Sequence, residues 1–546
     1  MRRDWLFRRT LCLRVPSTLA AACIAAAAGA QYGPVDPTDS TLRALREGLT
    51  STNDGVQHAS MVALRQLRDP SLRPFFERMT KSDDWSLRVD AVLGLAELAQ
   101  GARIDLELVE SLPGETDRES AISAAITLEL LDAERVATLL SWDDLPPMAK
   151  ALLAAELRKL GGTPDGALLA KLSQSKTPEV AGIAAAIELD LGTPGAQAAA
   201  DAVLATLGAL PARARSSAAA QIAEACSISR LRGAAPFVGS LCALADIAPD
   251  ARMRALGSLL VLSPESGYPL FAKAVEGDRS QLSLVRHAAV LLASGARAPE
   301  AEWNRLRNGD ALLEGIADTG AMLARGDDLS AYAKIVSLNH RITLIAALEG
   351  ARRIGPSAER ALGIEALALL RDRSKNLGPL LDPALRALAR LAATAPGELR
   401  VALEESLSAD APNRELQEAI LMSLLGSGTP EASEVASVAR GRATRLGEAF
   451  ICLSRARASQ NLEQADIDFL ATIAGGGANV DPTLRTQAAW LWTRHAGRAS
   501  PVTDALCAAP TPGGSSRTSG STSGNTSGNT SGSTSGNTGA ESERKP

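Results

Sequence analysis

The chain has 546 residues, 46% hydrophobic and 3% aromatic, with 57 Lys and Arg against 62 Asp and Glu for a formal net charge of −5. That length can bury a sizeable core, while the acidic balance supplies no global field towards nucleic acid or anionic lipid, so nucleic-acid binding is disfavoured. Six cysteines in such a length exclude a scaffold built on disulfides.

The first thirty residues read as an export signal. Arg2, Arg3, Arg8, Arg9 and Arg14 precede an Ala-rich apolar run from Val15 to Ala30, and Ala28-Gly29-Ala30 places small residues where a signal peptidase reads. Cleavage is expected before Gln31. The run is short for a membrane span, so no transmembrane segment is expected after cleavage. A second route is lipidation of Cys23, because Leu19-Ala20-Ala21-Ala22-Cys23 is similar to a bacterial lipoprotein box with its Leu one place too far upstream. Loss of residues 1–30 removes five Arg and one Asp and makes the mature chain more acidic still.

From Asp36 onwards one helical phrase recurs about every 33 residues: Leu or Val, often followed by Arg, a small residue four positions on, and an apolar residue eight positions on. It opens at Val56 and Leu87, returns at Leu284, Leu385 and Leu416, and closes at Leu484; weaker copies start at Ser120, Ala149, Val180, Ser216, Ala251, Ile342 and Leu446. The spacing puts the three marked positions on one helix face. Small residues such as Ala91, Ala389 and Ala488 would let a partner helix approach, and Leu64, Leu95, Leu128, Leu259, Leu424 and Trp492 would fill the space. Asp69-Pro70, Thr193-Pro194-Gly195, Ser263-Pro264, Gly355-Pro356, Asp382-Pro383, Thr429-Pro430 and Asp481-Pro482 punctuate these periods as turns. Two short helices and their turns per period make a repeat array, an all-α architecture with thin layers of Ala and Leu.

These phrases resemble HEAT-type repeats, in the short bacterial form with Val/Leu-Arg-x-x-Ala and Leu-x-x-Leu on the second helix. The resemblance covers roughly residues 36–506, with thirteen or fourteen units, and is weak between Glu300 and Ser337. It implies an extended right-handed α-solenoid whose second helices line a concave binding surface. Asp36 to Leu49 would form the N-terminal cap and Gln487 to Arg498 the last helix. The solenoid is expected over residues 31–507.

No local motif points to catalysis. His58, His287, His340 and His495 lie far apart, without the His-Glu-x-x-His or Cys-x-x-Cys spacing of a metal site. They read as helix-surface or helix-end residues. Phosphate loops and nucleophile elbows are absent, and Gly475-Gly476-Gly477 reads as an inter-helix turn. Asp83-Asp84, Asp143-Asp144 and Asp327-Asp328 read as helix starts. No catalytic residue, cofactor or metal is expected. Cys226 and Cys242 either form a bridge between neighbouring helices or, with Cys452, serve as small core residues.

Among the few aromatics, Trp85 and Trp490 are the candidate partner contacts; Trp142 precedes Asp143-Asp144, and Trp492 takes the core position. At the end of the array Trp490 either anchors a partner or closes the terminal layer. Residues 508–546 carry five Thr-Ser-Gly-(Ser or Asn) units from Thr518 to Asn537 and should form a disordered tail, either a spacer or O-glycosylation site or a neutral extension. The expected function is an exported, non-enzymatic scaffold in the periplasm or outside the cell, binding a protein or peptide. The alternatives are a regulatory or accessory subunit of an enzyme, a lyase-type solenoid, or a structural component of the envelope.

Overall fold

A computed structural model describes residues 37–508 apart from 52, 100, 373–379, 409–412, 459–461 and 477–479. Residues 1–30, expected to be a signal segment, with Cys23, and the Ser/Thr/Gly tail lie outside the described residues. Among those described there are 29 α-helices and no strand.

The chain enters through α1 (Pro37–Leu49), α2 (Asp54–Leu67), α3 (Arg73–Met79) and α4 (Trp85–Leu98). It continues as α5 (Leu106–Glu110), α6 (Glu115–Thr127), α7 (Ala133–Leu140), α8 (Pro147–Lys159), α9 (Gly166–Ser173) and α10 (Pro178–Leu191). The middle of the array is α11 (Ala196–Ala209), α12 (Ala212–Ile228), α13 (Ala235–Ala243), α14 (Pro249–Leu262), α15 (Pro264–Gly277) and α16 (Gln281–Ala293). There follow α17 (Glu300–Asn304), α18 (Ala311–Ala324), α19 (Asp328–Ser337), α20 (Arg341–Ile354), α21 (Pro356–Arg371) and α22 (Leu381–Thr394). Last come α23 (Pro396–Ser408), α24 (Arg414–Ser427), α25 (Pro430–Ser437), α26 (Arg445–Arg457), α27 (Gln464–Gly475), α28 (Pro482–His495) and α29 (Ala499–Ala508).

Local chemistry sets these boundaries. Asp84, Asp105, Asp132, Asp165, Asp310, Asp327 and Asp481 accept backbone N–H groups at helix starts. Pro178, Pro249, Pro430 and Pro482 occupy first-turn positions that need no N–H. Gly192 and Gly428 end α10 and α24 in the left-handed region. Asp143-Asp144 departs from the expected pattern: α8 begins after Pro146, and Asp144 pairs with Arg118 of α6.

The even-numbered helices other than α18 carry the repeated phrase. Each of these packs on the next helix that carries it as well as on odd helices around it, the pairing of an α-solenoid with HEAT-like helix pairs. Ala91, Ala184, Ala255, Ala288 and Ala488 at the small position, and Leu64, Leu259 and Leu424 at the eighth, are buried as the spacing requires. In α22 the register is one residue off. Ala384, Leu388 and Ala392 are buried, whereas Leu385 and Ala389 are half-buried and Ala393 is exposed. Leu381, Leu385, Leu388 and Leu391 share one side of the helix and Arg386 and Arg390 the other, so the face adopted is an apolar one that the repeat phrase set one position late. Partners for Arg386 on Asp382 and for Arg390 on Glu359 accompany the one adopted.

One stretch leaves the regular series. Helix α16 packs chiefly on α20, with α18 to one side, so residues 300–337 form an excursion where the phrase fades. The direct contact depends on glycine: a Cβ at Gly350 would strike the Leu292 carbonyl oxygen, and one at Gly295 would lie 2.7 Å from Arg353 Cβ. Within the excursion Trp303 is fully buried against Gly320.

The ends of the array meet. Helix α1 packs on α27 and α28, α2 packs on α28, and α29 packs on α1 and α3, so the even series returns from α28 to α2 as a closed circuit. This corrects the expectation of an extended superhelix between two caps. Residues 37–49 and 487–498 are interior layers covered by each other, and α29 follows the helix expected to be last.

Candidate interaction surfaces

Arginines tie successive even helices together. Arg65 of α2 reaches Asp90 (2.9 Å) and Glu97 (3.0 Å) of α4, Arg88 reaches Asp117 of α6, and Arg158 of α8 reaches Asp190 of α10 (2.9 Å). The same links cross the seam where the two ends join. Arg494, near the end of α28, donates to Asp69 just beyond α2 (2.8 Å), and Arg485, second in its phrase as Arg88 is, donates to Glu47 of α1 (2.9 Å). Around them, Gln487 Nε2 donates to the Ala63 carbonyl (3.3 Å), and Arg46 donates to the Ala505 carbonyl (3.2 Å). Arg457 of α26 bonds the carbonyls of Leu425 and Gln66 (3.0 and 2.5 Å), with burial and nearby Arg68 pulling its pKa down to about 10.

Trp490 belongs to this seam. It is fully buried, its ring centroid lies 5.9 Å from that of Phe75, and its Nε1–H donates to Ser71 Oγ (3.1 Å). The structure therefore rules out Trp490 as an exposed anchor, because the N-terminal helices cover the face that an open array would leave bare. Trp85, the first residue of α4, is half-buried against the core cluster built on Val92, Ile104 and Leu153, and Trp142 packs on the same cluster.

Elsewhere the even helices are enclosed. Seven consecutive residues of α10, Ala181 to Ile187, are buried, and so are Thr486 to Thr493 of α28. Exposed residues of the even helices are confined to their first two turns and last turn. Accessible side chains are thus carried by helix ends rather than by the middles of second helices. Leu282 in the first turn of α16 and Ile342 in the first turn of α20 are 58% and 42% exposed on two directly packed helices. Arg341 and Arg286 flank them, the latter 3.4 Å from Asp250.

The histidines do not converge. His58 Nδ1 lies 3.0 Å from Asp90, whose carboxyl is also held by Arg65, so that beside a cationic neighbour Asp90 stays ionised below the usual Asp range despite its burial. His287 is buried on Phe271, contrary to the surface reading, and burial lowers its pKa. His340 precedes α20 and His495 ends α28, both with pKa lowered by burial. Among the described residues no group of three His, Cys, Asp or Glu is placed to hold a metal. Cys226, Cys242 and Cys452 are buried free thiols whose pKa burial raises to about 12, which leaves them inert core groups. A shallow hollow of about 370 Å³ lies between Arg440, Arg445, Glu448, Cys452 and Phe469, but Arg440 is already held by Asp466 and Glu463. Among the described residues no helix is long and apolar enough to cross a membrane.

No family model and no curated protein matches the chain. Solved structures that align with it include the karyopherin Kap121p bound to Ste12p, at 13% identity over 84% of this chain and 54% of that one, with a TM-score of 0.29. Kap121p bound to the extreme C-terminus of the protein phosphatase Cdc14p aligns at 14% identity over 84% and 54%, with a TM-score of 0.29. Kap121p bound to the SUMO protease Ulp1p aligns at 12% identity over 92% and 55%, with a TM-score of 0.28. This chain spans about half the length of the solved chains it matches. The assignment as a HEAT-like solenoid rests on the molecule's own helix pairs.

Proposed function

We propose that the chain is an exported, non-enzymatic scaffold that holds a protein or peptide partner in the periplasm or outside the cell. The observation carrying this reading is the edge formed by the first turns of the even helices. There Leu282 and Ile342 stand exposed in the first turns of two directly packed helices, and Trp85, half-buried, opens α4. A braced edge binds with little ordering cost, and exposed aliphatic side chains flanked by Arg suit an extended segment with apolar anchors and acidic neighbours. Export is supported by the Arg-rich start, the apolar run and Ala28-Gly29-Ala30.

The test uses the mature chain from Gln31 as bait against a native envelope fraction, beside a Leu282→Glu/Ile342→Glu variant. The wild type should retain a defined partner, and the variant should lose at least ten-fold of it, the equivalent of about 1.4 kcal/mol. Equal capture by both removes the edge as the binding surface. A retained enzyme whose activity changes on binding would select the regulatory alternative.

A further inference from the structure

The seam differs from the other interfaces in composition. Four of the 27 buried polar or charged residues among those described, Ser60, Asp69, Thr486 and Gln487, hydrogen-bond across it, around an apolar centre in which Trp490 packs on Phe75. A typical internal face such as that of α10 is Ala, Val and Ile. The hydrogen bonds and ion pairs fix one register, while the apolar centre, once the seam opens, demands to be covered again by a face of the same make, which a second copy carries.

The two faces of the seam are also different from each other. The α28 face presents Arg485, Gln487, Trp490 and Arg494, and the α1–α2 face presents Glu47, the Ala63 carbonyl, Ser71 and Asp69. Such heterologous, complementary faces lie more than 400 residues apart in sequence, and nothing in their chemistry requires them to belong to one molecule.

We propose that the seam is an exchangeable interface whose second partner is another copy of this chain: the α1–α2 face of one copy docks on the α28 face of the next, head to tail, when the circuit opens. Closure within one chain enjoys an effective concentration in the millimolar range, so the closed monomer dominates in dilute solution and the paired form appears as concentration rises. A solenoid spreads a change of curvature over many small inter-repeat rotations, which lets two open arrays close on each other.

Charge reversal tests this with the full mature chain. One variant carries Glu47→Arg and Asp69→Arg, a second carries Arg485→Glu and Arg494→Glu, and a third combines all four. Either of the first two places like charges across its own seam, but in an equimolar mixture the reversed α1–α2 face of one meets the reversed α28 face of the other, and the unaltered faces meet as well. Size-exclusion chromatography with light scattering should show the mixture at twice the monomer mass, the four-fold variant as a monomer, and the wild type gaining a dimer over a hundred-fold rise in concentration. A mixture that stays at monomer mass while the four-fold variant folds overturns the proposal. So does a four-fold variant that melts no higher than the Glu47→Arg/Asp69→Arg variant, which shares its loss of the Asp69 cap on Ser71, since these pairs would then not govern the seam.

Discussion

Single residues decide the close contacts, and glycine gives the sharpest contrast. Gly350 sits mid-helix in α20, where replacement by Ala would gain about 1 kcal/mol from backbone entropy alone. Its Cβ would meet the Leu292 carbonyl oxygen, however, and main chain cannot swing aside as a side chain can. Overpacking of that kind costs about 1 to 3 kcal/mol and should prevail, so Gly350→Ala should lower the melting temperature. Gly208 in α11 has nothing within 4 Å of an added Cβ, and Gly208→Ala should raise it. Matching signs for the two in thermal melts would contradict the α16–α20 contact.

Titration at this scale has a definite sign. His287, His340 and His495 all have folded pKa values below the 6.5 of the free side chain. Below that value the unfolded chain binds more protons than the folded one, so their contribution is fully present above pH 6.5 and is lost as pH falls through the lowered folded values. Asp90, also depressed, adds a loss that starts only below the ordinary Asp value of 3.8. Melting temperature should therefore fall from pH 7.5 to pH 5, and His287→Gln should flatten the slope. A melt that rises on acidification over that range would refute this assignment.

At the scale of helices, Ala91→Leu should cost about 1 to 3 kcal/mol, because Ala91 is fully buried in α4. Ala389→Leu should cost much less, because Ala389 is half-buried in the register α22 adopts. Melts of the two variants check that register directly. The repeat period, the helix pairs and most buried positions were legible in the sequence, since a three- and four-residue apolar step has one physical meaning. The register of α22 was not, because the repeat phrase aligns on Leu385, whereas the side shared by Leu381, Leu388 and Leu391 decides which face is buried. The fading of the phrase over residues 300–337 did mark the excursion, but its bypass by α16 and α20 depends on two glycines far apart in the chain. The burial of Trp490 was likewise hidden, since its covering residues, Ser71 and Phe75, lie more than 400 positions away.

For the whole molecule, closure changes what the ends do. In a linear array removal of the last layer costs one nearest-neighbour interface and leaves the far end untouched. Here removal of residues 481–546 takes away α28 and α29, which contact both the C-terminal layers α26 and α27 and the N-terminal helices α1, α2 and α3. Two sets of contacts go at once, and the buried Ser60, Asp69 and Phe75 lose their cover. Hydrogen exchange reads this without assuming two-state unfolding, which a long repeat array need not obey. Truncation after Ala509 should leave the protection of α2 amides at the wild-type level, because every seam contact described here lies before that point. Truncation before Asp481 should strip protection from α2 while leaving α10 and α12, on distant layers, as they were. Unchanged protection in α2 would mean that the array is open in solution and that its ends are caps after all.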